Sequence, residues 1–213
     1  LQAMAGSDDG DPWSIGVPVP DYIAAAMPQG DLKGVKIRFC AAPPGKPIAA
    51  EVAAAFQAAL GRLQGLGAEP VEMTGERFDI EPLWRVINHT TWRARFGEMA
   101  ARDGNRMSPS LLKQLQLAEN MSGVDYQQAM FARAALFRHV QELLRDSDFL
   151  AMPTLSRTAL PIDQDLFEPI EIDGRSYADL RSNWFPWTMP FNLTGHPAIT
   201  LPCGFGEGGV VGF

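Results

Sequence analysis

The sequence predicts an α/β fold, and three observations carry that prediction. A strand, a helix and a second strand follow one another between residues 35 and 73. A helical middle runs from 80 to 146. Short apolar runs at 149–152 and 198–201 then return the chain to a sheet. A strand–helix–strand unit normally closes a parallel pair with a right-handed crossover. The 213 residues, 46% of them hydrophobic, suffice for one sizeable core, so a single domain over 1–213 is expected.

The elements follow in order. Residues 1–31 read as an extended arm, because 7–20 are rich in Asp, Gly and Pro. Val35, Ile37 and Phe39 alternate with Lys36 and Arg38, the pattern of a half-buried strand. Pro43-Pro44-Gly45 breaks the chain. From 49 to 64, Val52, Phe56, Ala59, Leu60 and Leu63 share one helical face, and Gly65 and Gly67 mark the stop. Glu69 to Met73 is the second strand. The helix entry lacks the glycines that cradle a phosphate, so a dinucleotide site is rejected.

Residues 80–146 form a helical insert. Its first helix, 80–101, carries Trp84, Ile87, Trp92 and Phe96. Ser108 before Pro109 reads as a side-chain cap followed by a first-turn proline. Residues 124–146 are expected to be the longest helix, with Tyr126, Met130, Phe137 and Leu144 as its apolar stripe. Phe149 to Met152 enters the sheet. Residues 153–180 read as irregular, with Pro161, Pro169 and Asp173-Gly174 as turn makers. Pro190 and Pro197 bias their surroundings toward extended backbone, so Ala198-Ile199-Thr200-Leu201 reads as a buried strand closed by Pro202 and Gly204.

Composition excludes several classes. The net charge of −7, from 18 basic and 25 acidic side chains, argues against nucleic acid as a partner. No apolar run approaches the ~20 residues of a membrane helix. Cys40 and Cys203 read as small buried hydrophobes rather than a disulfide framework, which suits a reducing, cytoplasmic setting. No H-E-x-x-H or C-x-x-C spacing exists, so no metal site is assigned. Asn88-His89-Thr90, Asn120-Met121-Ser122 and Asn192-Leu193-Thr194 fit the glycosylation triplet and read as chance matches.

The stretch Thr188-Met189-Pro190-Phe191-Asn192-Leu193-Thr194-Gly195-His196-Pro197-Ala198-Ile199-Thr200-Leu201-Pro202-Cys203-Gly204-Phe205 resembles the C-terminal half of the amidase signature family, serine hydrolases of amide bonds. Gly6-Ser7-Asp8-Asp9-Gly10-Asp11-Pro12 resembles the acidic turn after the family's catalytic region, and Leu32 to Arg38 the strand beyond it. Asp148 to Thr154 resembles a later strand with its Pro-Thr exit. The resemblance implies a mixed β-sheet flanked by helices. It also implies a C-terminal fragment of a larger amidase domain, trimmed at both ends.

Amide hydrolysis needs a nucleophile, a base and oxyanion donors. In the family a serine, a second serine and a lysine supply them from a Gly/Ser-rich setting. Here every serine is isolated, and Lys33, Lys36, Lys46 and Lys113 match no catalytic position, so no catalytic residue is assigned. His139 and His196 read as packed or solvated, and His89 as the edge of a core beside Trp92 and Arg85.

The resemblance instead points to a substrate wall of Trp184, Phe185, Trp187, Thr188 and Asn192. Its three aromatics in four residues suit a hydrophobic or aryl amide. Family members that feed glutamine-derived ammonia to charged tRNA carry an aspartate where Phe185 stands, to hold the amino group of glutamine. Phenylalanine cannot do so.

The expected function is therefore part of an amidase that hydrolyses a small-molecule carboxamide without metal or cofactor, its N-terminal half lying elsewhere. A homodimer is left open. The alternatives are an amidotransferase component of the glutamyl-tRNA(Gln) type and a non-catalytic scaffold.

Overall fold

A computed structural model describes residues 2–12, 14, 16, 18–28, 30–74, 78 and 80–213. Positions 1, 13, 15, 17 and 29 of the expected arm lie outside the described residues. Two compact units emerge, residues 1–32 and 33–213. In the first, Asp8 folds a turn by accepting from the Gly10 N–H at 2.7 Å, and Asp21 caps a single helical turn, α1 (Tyr22–Ala25).

In the second unit, β1 (Lys36–Phe39) lies at the centre of a parallel three-stranded sheet. It is flanked by β2 (Glu69–Glu72) and β3 (Phe149–Ala151). The expected crossover helix is α2 (Ala50–Gly65), with Val52, Phe56, Ala59 and Leu60 buried. Its exit explains the second of the two glycines. Gly67, at φ 103°, donates to the Gln64 carbonyl, and the Ala68 N–H reaches back to Leu63. That is a Schellman ending, which needs the left-handed residue glycine supplies. At the other end no side chain of the helix caps it. The carboxylate of Asp173 does so from a distant hairpin, accepting from the Ala50 N–H at 2.8 Å.

The helical layer is α3 (Glu81–Asp103), α4 (Pro109–Leu117) and α5 (Gly123–Leu143). Three expectations need correcting here. The longest helix is α3, with 23 residues, not α5. Ser108 precedes α4, but its side chain makes no cap bond. The buried stripe of α5 is Ala129, Leu136, Val140 and Leu143, one position away from the expected one. Leu136 meets Trp84, Met189 and Leu193, while Leu143 meets Cys40, Met73 and Trp187, so contacts on two sides rotate the helix. Phe137 is left 42% exposed. Ser122 and Asp125 close a reciprocal capping box at the start of α5, and the bonds from Ser122 hold the Asp125 carboxyl below its ordinary range.

Residues 153–180 are less irregular than expected. Ile170–Ile172 (β4) and Arg175–Tyr177 (β5) form an antiparallel hairpin. Asp173 and Gly174 both take positive φ, 49° and 71°, as a two-residue type I′ turn requires. After α6 (Leu180–Trp184) the chain forms a helix rather than extended backbone, α7 (Thr188–Thr194). Pro190 is its third residue, within the first turn, where the missing N–H has no helical partner to lose. Gly195, at φ 73°, ends it. The strand expected at 198–201 begins later, as β6 (Pro202–Gly206), which pairs with β7 (Gly209–Gly212) across a register shift at Pro202/Gly204. The main sheet is thus parallel, and the two hairpins supply the antiparallel pairs of this α/β fold.

The core lies between α2 and these hairpins. Ala49, Val52, Ala59, Ile170, Ile172, Leu180, Cys203 and Val211 form one cluster. Phe56, fully buried, sits between Phe39 and Phe213 at ring separations of 6.3 and 6.0 Å.

Candidate functional site

The loop leaving β3 builds a concave feature. Ser156 anchors it from both sides: its N–H donates to the Trp184 carbonyl and its carbonyl accepts from the Ala49 N–H, both at 2.7 Å. Beside it opens a small cleft of ≈ 190 Å³, walled by Val52, Thr154, Thr158, Thr200, Val210 and Gly212 among others. Ligand pockets usually hold about 300–1,000 Å³, so this cleft accommodates part of a small molecule at most. Thr154 and Thr200 join their hydroxyls across it at 3.2 Å.

Glu51 fixes the cleft's frame. Its carboxylate accepts from the Thr158 hydroxyl and from the Glu207 N–H, each at 2.8 Å. One side chain of α2 thereby ties down both the loop and the β6–β7 turn. Glycines make the close approach feasible. A Cβ on Gly206 would collide with the Glu51 carboxylate, and one on Gly208 would stand 2.5 Å from the Thr158 hydroxyl.

The five residues expected to form a substrate wall are dispersed. Trp187 is buried against Cys40, Met73 and Leu143. Trp184 and Phe185 are half-buried neighbours with rings 5.8 Å apart, and Trp184 donates through Nε1 to the Arg157 carbonyl at 3.3 Å. Phe185 packs on both the α2 core and the Trp84 cluster. The Thr188 hydroxyl donates to the Phe185 carbonyl, and Asn192 is exposed on α7. Trp184, Phe185 and Thr188 therefore share one neighbourhood, whereas none of the five lines the cleft.

A partly buried polar cluster joins α3 to α6; sequence reasoning placed His89 beside Arg85 and Trp92 but missed its Glu81, Asp179 and Arg181 members. Arg85 pairs with Glu81 and reaches Asp179 at 3.2 Å. Burial raises the Glu81 pKa above its ordinary value, and Asp179 adds to this while Arg85 opposes it. Arg181 is buried, and its guanidinium lies 5.0 Å from the Phe167 ring, which Lys113 also approaches at 4.0 Å. His89 is fully buried against Trp84 and Trp92, and neither ring nitrogen finds a partner among the described residues. Burial first, then Arg85 and Arg181, push its pKa down to about 4, so it is a neutral imidazole near pH 7. Besides the helical grouping of Arg85, His89 and Trp92, the i, i+4 spacing of Glu81 and Arg85 is the sequence signal of this cluster.

This arrangement can organise structure, and among the described residues it shows no hydrolytic centre. The hydrogen bonds of Ser14, Ser110, Ser122 and Ser147 go to carboxylate, amide or backbone groups, not to a histidine or lysine. Among the described residues, no three of His, Cys, Asp and Glu gather as a metal site would require. No helix of the described residues is long and apolar enough to cross a membrane.

The parallel three-stranded sheet, the helical layer and the glycine-lined hairpin define the class first: an α/β fold. The Amidase family model matches residues 1–212, and the chain belongs to the amidase signature family. It is 33% identical to an amidase of Pseudomonas putida, covering 99% of this chain and 44% of that protein. It is 30% identical to a glutamyl-tRNA(Gln) amidotransferase subunit of Salinispora arenicola (strain CNS-205), covering 99% of this chain and 47% of that one. In three dimensions, 97% of the chain superposes on 44% of a bacterial aryl acylamidase of the same family, with a TM-score of 0.79 at 21% identity. The chain thus spans about half the length of the relatives it matches.

Proposed function

We propose that these residues are the C-terminal part of an amidase that hydrolyses a non-peptide carboxamide to an acid and ammonia or amine. The observation that carries this reading is the family match over nearly the whole chain, in a sequence with no Gly/Ser-rich catalytic setting of its own. In this reading the serines and lysine lie upstream. The present residues contribute sheet, hairpin and pocket wall, and the 213-residue chain is inactive alone. The partners are a small-molecule amide and the N-terminal half of the same enzyme, with a homodimer left open. No metal or cofactor takes part, and the setting is cytoplasmic.

Trp184, Phe185, Trp187, Thr188 and Asn192 are proposed as the region that faces substrate. Trp184 and Phe185 supply half-buried aromatic surface at one place, which supports a hydrophobic or aryl acyl group. The amidotransferase reading has a relative in its favour. Phe185 weighs against it, because an apolar ring cannot bind the amino group of glutamine.

The test uses the polypeptide that joins these residues to the coding sequence upstream of Leu1. A kcat/KM at least 100-fold higher for an aryl carboxamide than for glutamine is expected. Glutamine-dependent ammonia release in the presence of a tRNA-binding partner would move the assignment to the amidotransferase.

A further inference from the structure

Arg181 carries a buried charge without a hydrogen-bond acceptor. The residue is 4% exposed, yet among the described residues its guanidinium donates no hydrogen bond and joins no ion pair. It lies 5.0 Å from the centroid of the Phe167 ring, which Lys113 approaches at 4.0 Å. The carboxylates around it are engaged elsewhere. Glu81 pairs with Arg85, Asp179 accepts from Arg85 and from the Ser182 N–H, and Asp165 accepts from the Phe167 N–H. Burial, aided by the like charge of Arg85, outweighs Asp179, Glu81 and Asp165 and pulls the Arg181 pKa below its ordinary value. His89 stands within electrostatic reach of Arg85 and Arg181, and it too is buried without a partner among the described residues. Burying an ionised group is costly unless it is paired and hydrogen-bonded.

We propose that Arg181 anchors a binding site for one small carboxylate, entered beside Phe167. The chemistry of the ligand follows from the surroundings. A guanidinium presents a planar fork of donors that matches a carboxylate. Glu81, Asp179 and Asp165 all act on Arg181, and they would repel a multiply charged anion such as sulfate or a phosphate ester. Phe167 is half-buried while Lys113 and Asp165 are exposed, so the cluster reaches solvent at this edge. Arg181 also stands one turn before Phe185, whose N–H donates to the Arg181 carbonyl at 3.2 Å. The site therefore adjoins the residues proposed to face substrate. Its carboxylate belongs either to a free acid or to the acyl part of an amide. Only the second source rests on the amidase reading.

The test titrates acetate into the polypeptide extended upstream of Leu1, at ionic strength held constant with chloride. Calorimetry and the fluorescence of Trp84 and Trp92, the rings that pack on His89, follow the binding. Saturable binding at one site is expected, with sulfate competing no better than chloride. Arg181→Gln should weaken acetate about 10-fold or more, the worth of a charge-assisted hydrogen bond. Asp165→Asn keeps an oxygen to accept from the Phe167 N–H but removes a repelling charge, and should tighten acetate about 3-fold. That gain cannot come from a loss of fold. No saturable acetate binding, or equal binding by wild type and both variants, overturns the site, as does preference for sulfate. Succinamate, an amide with its own carboxylate, then separates the sources. If Arg181→Gln raises its KM rather than lowering kcat, the carboxylate belongs to the substrate; an unchanged KM assigns the site to a free acid. Acetate binding without turnover of any amide keeps the site and rejects the amidase reading, whereas turnover without acetate binding does the reverse.

Discussion

The β6–β7 hairpin and the helical layer around Trp84 are packed by opposite means. The hairpin packs closely because side chains are missing: a Cβ on Gly204 or Gly206 would meet Ala55 or Glu51 of α2 at 3.0 Å or less, and one on Gly208 or Gly212 would meet Thr158 or Thr200 as closely. The helical layer and the adjoining α6 are filled by large and polar side chains, including His89, Gln114 and Arg181, all nearly inaccessible to solvent. The first arrangement fixes position by backbone approach and one carboxylate. The second accepts desolvation costs to hold charged groups near α6. The hairpin should therefore be sensitive to added volume, and the helical layer to added charge.

Four experiments break or sharpen that contrast. The largest effect is expected beneath the hairpin: Phe56→Ala should cost about 3–5 kcal/mol in denaturant unfolding, because the cavity would open between Phe39 and Phe213. Next comes acid. His89 has a folded pKa of about 4 against an ordinary value of 6.5, so the unfolded chain binds more protons as pH falls between those values. Stability should accordingly drop by about 3 kcal/mol from pH 7 to 4, and a His89→Phe variant should lose that part of the slope. A pH-independent difference between the two proteins would contradict the burial assigned to His89.

Third, Gly208→Ala should destabilise by about 1–3 kcal/mol, since its Cβ meets both the Thr158 side chain and the Ala159 carbonyl. Gly61→Ala on exposed α2 surface, where nothing lies within 4 Å, is the control and should be neutral or slightly stabilising. The smallest effect, about 1 kcal/mol, is expected for Glu51→Gln. That change keeps one acceptor and replaces the other with a donor facing the Thr158 hydroxyl or the Glu207 N–H. Urea midpoints measured together would rank all four.

Much of the fold is legible in local pattern. The β1–α2–β2 unit follows from alternation, one apolar helical face and paired glycines, because each of those signals acts within a few residues. What the pattern does not reveal depends on contacts distant in sequence. The α5 stripe turns by one position because Leu136 and Leu143 answer to different neighbours. The cap of α2 comes from Asp173, 123 residues away. Three-residue strands such as β4 and β5 carry too little alternation to notice, although their Asp173-Gly174 turn is plain. Pro190 suggests a break, yet a first-turn proline is compatible with α7. Of the candidate wall, the resemblance locates Trp184 and Phe185 in one neighbourhood. Neither it nor the residue pattern foretells that Trp187 is core or that Asn192 stands in solvent.

Ammonia release from an aryl carboxamide, measured in parallel on the purified 213-residue chain and on the polypeptide extended upstream of Leu1, bears on the assignment most directly. Turnover is expected from the extended polypeptide alone, with the shorter chain indistinguishable from buffer. Steady multiple turnover by the 213-residue chain itself would mean that a complete hydrolytic centre lies within these residues, contrary to the account given.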